Sequence, residues 1–330
     1  MNNIKAKLKF KPNNFEVIEE GDHVVCAVSG KHIPLNQLSY WNVEMQEAYF
    51  SPKEAHQRYE ELKKMRILTS LVLLLITTSS FAATFNGKFV QGSFILGKTE
   101  PDSEVFVDKK KVKVTSDGFF VFGLDRDRKY DVVITLSKDE IKEKIVKKVF
   151  KREYKIQRID GLEEKKVTPP EEVYERIKRE NKWIGEARAI NSDLAFFKNN
   201  FINPLENAIV TGVYGSQRIL NGKPKWPHYG IDFAAEEGTE IKAMLDGVVT
   251  LAEPDLFYTG GTLIFDHGHG ISTLYMHMKT LMVQKGQKVK QGDVIGTVGS
   301  TGRSTGAHLD VRLNWFQVRL DPATVLDIKY

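Results

Sequence analysis

The sequence predicts a mostly β protein with antiparallel sheets, an all-β module ahead of a second β domain, a linking helix, and a small separate N-terminal domain. Three observations lead there. From residue 84 onward, short runs of β-branched and aromatic residues recur between turn signals, as in Val105-Phe106-Val107 and Thr262-Leu263-Ile264-Phe265. In that part of the chain a single stretch, Thr168 to about Ile190, spaces its apolar residues as a helix does. The 330 residues are 41% hydrophobic and 28% charged. That composition fits a globular chain of about two or three domains and excludes a disordered or polytopic membrane chain.

Residues 1–64 read as a small domain. Val24-Val25-Cys26-Ala27-Val28 is a strand run, Ser29-Gly30-Lys31 a turn, and Pro52 to Lys64 a charged helix with Ser51 as N-cap and Pro52 at its first position. His23, Cys26 and His32 lie close enough to suggest a metal knuckle, but with one cysteine in the chain a buried free thiol in a small hairpin fits better. Residues 65–83 have the form of a secretory signal: Lys63-Lys64-Met65-Arg66, an apolar run from Ile67 to Ile76, and Ser80-Phe81-Ala82 as cleavage signal. Its internal position leaves two readings. Either Met65 is the natural start, or the segment is an internal signal that anchors the chain in the membrane through 67–83 if uncleaved. Both readings put the residues beyond about 83 outside the cytoplasm, in a periplasmic or other extracytoplasmic space, with an inner-membrane anchor if the segment is uncleaved.

Residues 84–160 form the all-β module, without visible catalytic groups. They hold 18 basic against 13 acidic side chains, which accounts for the whole formal excess of +5. An excess of that size gives no argument for a nucleic-acid partner. Residues 161–200 are the helical linker. Residues 201–330 return to strands at Ile209-Val210-Thr211, Gly247-Val248-Val249-Thr250, Ser272-Thr273-Leu274-Tyr275 and Val294-Ile295-Gly296-Thr297-Val298.

Five of the eight histidines lie in this last part. His228 and Asp232 are four apart, with Gly230 between them to let the backbone bend. His277 ends the strand Tyr275-Met276-His277. The loop Ser300 to Gly306 runs into a strand on which His308 and Asp310, two apart, share a face. Imidazole and carboxylate are competent zinc ligands, and these pieces can converge on one metal. His267-Gly268-His269 is a competing pair in a Gly-rich turn, where a turn-stabilising His267 is the simpler reading. Asp232, His308 and Ser304 form no serine triad recognisable in sequence, since no nucleophile elbow is present.

With Gly212-Val213-Tyr214-Gly215 and Lys285 to Asp293, these motifs resemble the LytM/lysostaphin-type zinc endopeptidases over about 204–325. The resemblance implies a zinc metallopeptidase acting on peptide cross-links of bacterial peptidoglycan, with His228 and Asp232 as zinc ligands and His277 and His308 assisting catalysis. The family's third ligand is the second histidine of His-x-His. Here His308-Leu309-Asp310 puts Asp310 in that place, as in a proteobacterial branch that the segments Arg152 to Leu162 and Asp310 to Trp315 also resemble. A second carboxylate neutralises the zinc formally, which implies a higher-pH optimum or slower turnover. The alternative function is a catalytically inactive scaffold that binds the wall or activates a separate amidase. In the N-terminal domain, Cys26 to Gly30, Tyr40-Trp41-Asn42-Val43 and Gln46-Glu47-Ala48-Tyr49 resemble a small alphaproteobacterial domain family of unknown function.

Overall fold

The computed structural model describes residues 4–75, 83–139, 141–161, 167–207, 209–326 and 328. It divides into two units, Met1–Ser80 and Phe81–Tyr330.

In the first unit, antiparallel ribbons pair Lys7–Lys11 with Asn14–Glu19, His23–Val25 with His32–Pro34, and Tyr40–Asn42 with Glu47–Tyr49. They close on Phe10, Val24, Cys26 and Ile33. The strand expected over residues 24–28 stops at Val25, because Cys26 opens the turn: its carbonyl accepts the Gly30 N–H at 3.0 Å. The thiol is free and buried, and its sulfur accepts the N–H groups of Ser29 and Phe50 at 3.4 and 3.3 Å. The Pro52–Leu75 helix starts as its sequence dictates, with Ser51 Oγ accepting the Lys53 N–H. The export segment expected at 65–83 begins inside this helix, and its cleavage signal lies outside the described residues.

The second unit opens with two small sheets. Thr84–Asn86, Phe94–Lys98 and Phe119–Gly123 make one, while Glu104–Val107, Lys110–Val112, Val132–Lys138 and Ile141–Lys147 make the other. They enclose Phe120, Phe122, Ile134 and Leu136, all fully buried. This core continues without a break into the C-terminal half. Phe94 meets Phe201 edge-on at 6.2 Å, and Arg126 donates twice to the Gly215 carbonyl, at 3.0 and 2.6 Å.

The C-terminal half is built on a large antiparallel sheet. Six of its strands, numbered in chain order, are β1 (Ile209–Gly212), β2 (Ile231–Ala234), β3 (Gly247–Leu256), β4 (Gly260–Gly268), β5 (Ile271–Leu281) and β6 (His308–Trp315). Their spatial order is β1-β2-β6-β5-β4-β3. Alternation divides the two faces. Ile231, Phe233, Leu309, Val311, Leu313 and Tyr275 enter the main core. Asp232, His308, Asp310 and Arg312 take the opposite face. On that face lies the Tyr174–Arg188 helix, with Ile184 and Ala187 packed on Leu251, Leu256, Ile264 and Leu274. Helix formation begins later than the expected Thr168 cap, through a 3₁₀ turn at Glu171–Val173. Thr168 Oγ1 instead accepts from Lys223 Nζ at 3.3 Å.

Candidate metal centre

One ladder row carries the centre. Gly212 pairs with Asp232, Asp232 with Asp310, and Asp310 with Met276, across β1, β2, β6 and β5. The two carboxylates are thus side by side on one face. His228, just before β2, places Nε2 3.0 Å from Asp232 Oδ1 and 3.3 Å from Asp310 Oδ2. Ligand atoms of these three residues lie within 4.8 Å of one another, and no other such group of His, Cys, Asp or Glu occurs among the described residues.

Glycines make the room. A Cβ on Gly212 would stand 2.1 Å from Asp232 Oδ2, and one on Gly230 would stand 2.3 Å from Asp310 Oδ1 and 2.5 Å from the Val311 carbonyl. Gly230 is therefore required for clearance. The backbone also bends at Gly230, as expected, without entering the left-handed region.

Several features fit a bound cation. His228 Nδ1 is 3.3 Å from the Val213 carbonyl and can donate to it, which leaves Nε2, 3.3 Å from Asp310 Oδ2, as the nitrogen a cation between the carboxylates would take in place of a proton. Asp232 Oδ1 is buried and its one close polar neighbour is His228 Nε2 at 3.0 Å. Burial depresses the His228 pKa, but Asp310 and Asp232 outweigh it and raise it overall. Burial opposes ionisation of Asp310, yet Arg312 and His228 hold it well below the usual carboxylate range.

Two arginines absent from the sequence-derived site complete the charge pattern. Arg218 donates to Asp232 Oδ2 at 2.9 Å. Arg312 donates to both oxygens of Asp310, at 2.9 and 3.3 Å. Arg312 could have been found by the same alternation that links His308 to Asp310. Arg218 could not, because it arrives on Gln217–Leu220, a strand paired in parallel with the distant Ile156–Ile159.

His277 does not end its strand, as the sequence suggested; β5 continues to Leu281. Alternation alone would turn it toward the apolar side with Tyr275. A bulge intervenes: Tyr275 pairs with Leu263 and Met278 with Gly261, leaving Met276 and His277 opposite Thr262. His277 takes φ +63° there, and its ring reaches the cleft 4.7 Å from the His308 ring. Both rings are held alike. His277 Nδ1 is 2.8 Å from the Thr301 carbonyl, and His308 Nδ1 is 2.8 Å from the Gly306 carbonyl. Each Nδ1 therefore donates, and each Nε2 is left as the proton acceptor. Burial pushes the His277 pKa down to about 4, against a raising effect of Asp310. His308 Nε2 stands 3.9 Å from Asp232 Oδ1.

The competing histidines are occupied elsewhere. His267 is fully buried, its Nδ1 at 2.7 Å from the Asp246 carbonyl and its Nε2 at 2.8 Å from Thr273 Oγ1. His269 sits in the β4–β5 turn against Phe197. Ser304 Oγ donates to the Gly306 carbonyl at 2.6 Å. The five residues His228, Asp232, His277, His308 and Asp310 all line one cleft of about 1200 Å³, walled on one side by the Tyr174–Arg188 helix.

The sheet thus carries a His-Asp-Asp group that could hold a metal ion, with two histidines adjoining it. Residues 226–322 match peptidase family M23, and the chain carries an M23, LytM-type domain there. Residues 17–58 match an uncharacterised protein family conserved in bacteria, DUF2093. The DD-carboxypeptidase/endopeptidase Mpg of Neisseria meningitidis is 45% identical over 89 residues, which is 26% of this chain and 20% of that protein. The peptidoglycan DD-endopeptidase ShyA of Vibrio cholerae is 42% identical over 87 residues, again 26% and 20%. The chain thus spans about a fifth of the length of these curated relatives. A crystal structure of a putative peptidase M23 from Pseudomonas aeruginosa aligns with a TM-score of 0.57 at 26% identity, covering 72% of this chain and 95% of that one.

Proposed function

We propose that residues 201–330 hydrolyse peptide cross-links of peptidoglycan, with a zinc ion held by His228, Asp232 and Asp310. One observation carries this reading: three metal-competent donors converge beside two histidines whose Nδ1 atoms are tied to carbonyls of a single loop. The activities named for the Neisseria and Vibrio relatives support the substrate class. Bound zinc supplies Lewis acidity toward the scissile carbonyl and toward water. Of His277 and His308, one takes a proton from the attacking water through Nε2 and one returns a proton to the leaving amine. The loop carbonyls fix both tautomers for these transfers. On this reading the segment at 65–83 directs export, and the 84–160 module and 161–200 linker support the peptidase domain. No helix among the described residues is long and apolar enough to cross a membrane.

A second reading, an inactive scaffold, draws on the pairing of both carboxylates with Arg218 and Arg312, which neutralises them without a metal. Metal analysis of the purified protein, combined with peptide release from purified peptidoglycan, separates the two. The expected result is one zinc per chain and release that stops on chelation and returns with zinc. A protein that takes up no zinc and releases nothing would leave the scaffold.

A further inference from the structure

The cleft continues past the metal donors along β6, and this end is cationic. Arg312 lies two residues beyond Asp310 on the same face and Asn314 four beyond, at about 7 and 13 Å. Arg319, on Val318–Leu320, is level with Asn314. Arg188 reaches the same cleft from the C-terminal end of the helix.

These groups are short of acceptors. Arg312 is committed to Asp310. Neither Arg188 nor Arg319 has an ion-pair partner among the described residues. Arg319 stacks 4.3 Å over the Tyr229 ring. Arg188 reaches only carbonyls, that of Gln317 at 3.1 Å and that of Phe316 at 3.4 Å. Asp125, also in the cleft wall, is exposed and accepts the Asp127 N–H at 2.9 Å. Burial, reinforced by Arg319 and Arg312, pushes Arg188 down to about 9. Two donors are buried with no acceptor: Arg188 Nε, on a residue 6% exposed, and Asn314 Nδ2, on a residue 1% exposed. Such orphans are rare in folded proteins, and both belong to residues lining the cleft.

We propose that this end of the cleft binds a free carboxylate of the substrate peptide, with Arg188, Arg319 and Asn314 as donors and Arg312 shared with Asp310. The assignment rests on the hydrolase reading and adds to it a requirement on the substrate. A carboxylate matches the planar guanidinium fork, and its remaining lone pairs suit an amide N–H. A neutral peptide would leave the donors unpaired, which is how a polar site rejects an analogue lacking the matching group. The span of about 7–13 Å corresponds to roughly two to four residues of extended peptide from the bond cut. Either a C-terminal carboxylate or a side-chain carboxylate of a diamino diacid fits this chemistry.

The test is calorimetric binding of a cross-linked stem peptide to the full chain after chelation, so that nothing is cleaved. Four forms are compared: both carboxylates free, the C-terminal one amidated, the side-chain one amidated, and both amidated. Double amidation is expected to weaken binding about tenfold or more, and the single amidations tell which carboxylate is held. Arg319→Gln, at a partly exposed position, is expected to erase the difference, with an unchanged unfolding transition. Equal binding of the free and doubly amidated peptides, or no binding of either, overturns the proposal. Carboxylate-dependent binding without hydrolysis by the zinc-loaded protein sinks the hydrolase reading and keeps the subsite. Hydrolysis of free and amidated peptides at equal kcat/KM does the reverse.

Discussion

At the scale of single residues, the proposed function divides coordination (His228, Asp232, Asp310) from proton transfer (His277, His308). Asp310→Ala is expected to lose zinc, Asp310→His to keep it, and His277→Ala to keep it while turnover falls about 10²–10⁴-fold. Zinc stoichiometry and kcat in the three purified variants check this, and full occupancy in Asp310→Ala would remove Asp310 from the ligand set. His267 would not replace it, because both its nitrogens are already bonded. Gly230→Ala tests the clearance argument. Its Cβ would press on Asp310 Oδ1 and on the Val311 carbonyl, a backbone atom that cannot rotate away. About 1–3 kcal/mol of lost stability in denaturant titration is expected, together with weaker zinc binding. A fully stable, zinc-replete Gly230→Ala protein would show that β6 shifts freely. His277 has a backbone cost of its own, as left-handed φ is unfavourable for a residue with a Cβ. His277→Val, β-branched, should be less stable than His277→Asn by about 1 kcal/mol, although both lack the imidazole. Equal unfolding midpoints would dismiss the strain.

At the scale of elements, the helix is pinned as well as packed. Glu180 is buried, accepts the Phe257 N–H at 2.8 Å and pairs with Arg176 at 2.6 Å. Glu180→Ala would leave that N–H unpaired and is expected to cost about 1–3 kcal/mol in thermal unfolding. A change within error would mean that water replaces the carboxylate. The short runs Ile209-Val210-Thr211, Thr262 to Phe265 and Ser272 to Tyr275 were legible in sequence because the apolar pattern that makes a strand is local. Gln217–Leu220 was not, since beyond a two-residue local pairing with Lys223–Pro224 it is held by Ile156–Ile159, 61 residues away. The shared face of His308 and Asp310 came from alternation. The approach of His277 did not, because it depends on a bulge that breaks alternation. Arg188 could be assigned to a helix by its spacing, but only the packing of that helix on Leu251 and Leu274 brings it to the cleft.

At the scale of the whole molecule, the core sets what can be removed. Residues 1–80 form a unit of their own, so a protein beginning at Thr84 is expected to fold, bind zinc and cleave. A shorter one beginning at Phe201 would lack Phe94, Phe120 and Phe122, uncover Phe201 and Leu320 of the shared core, and lose the Arg126 bonds to Gly215. It is expected to be insoluble or to lack cooperative unfolding. Activity of the Thr84 form only after residues 1–64 are added back would contradict the first half of this prediction. The two arginines at the centre have a consequence for how such a chain matures. Without them, two adjacent carboxylates beside a single imidazole would be buried only at the cost of a proton or a cation taken up on closing. With Arg218 and Arg312 in place, the closed sheet already holds its counter-ions. On the zinc reading, folding and arming are separate events: the chain is expected to reach its final shape in a zinc-poor compartment and to acquire its metal afterwards. On that reading, supply of the ion governs how many molecules work and not how many survive.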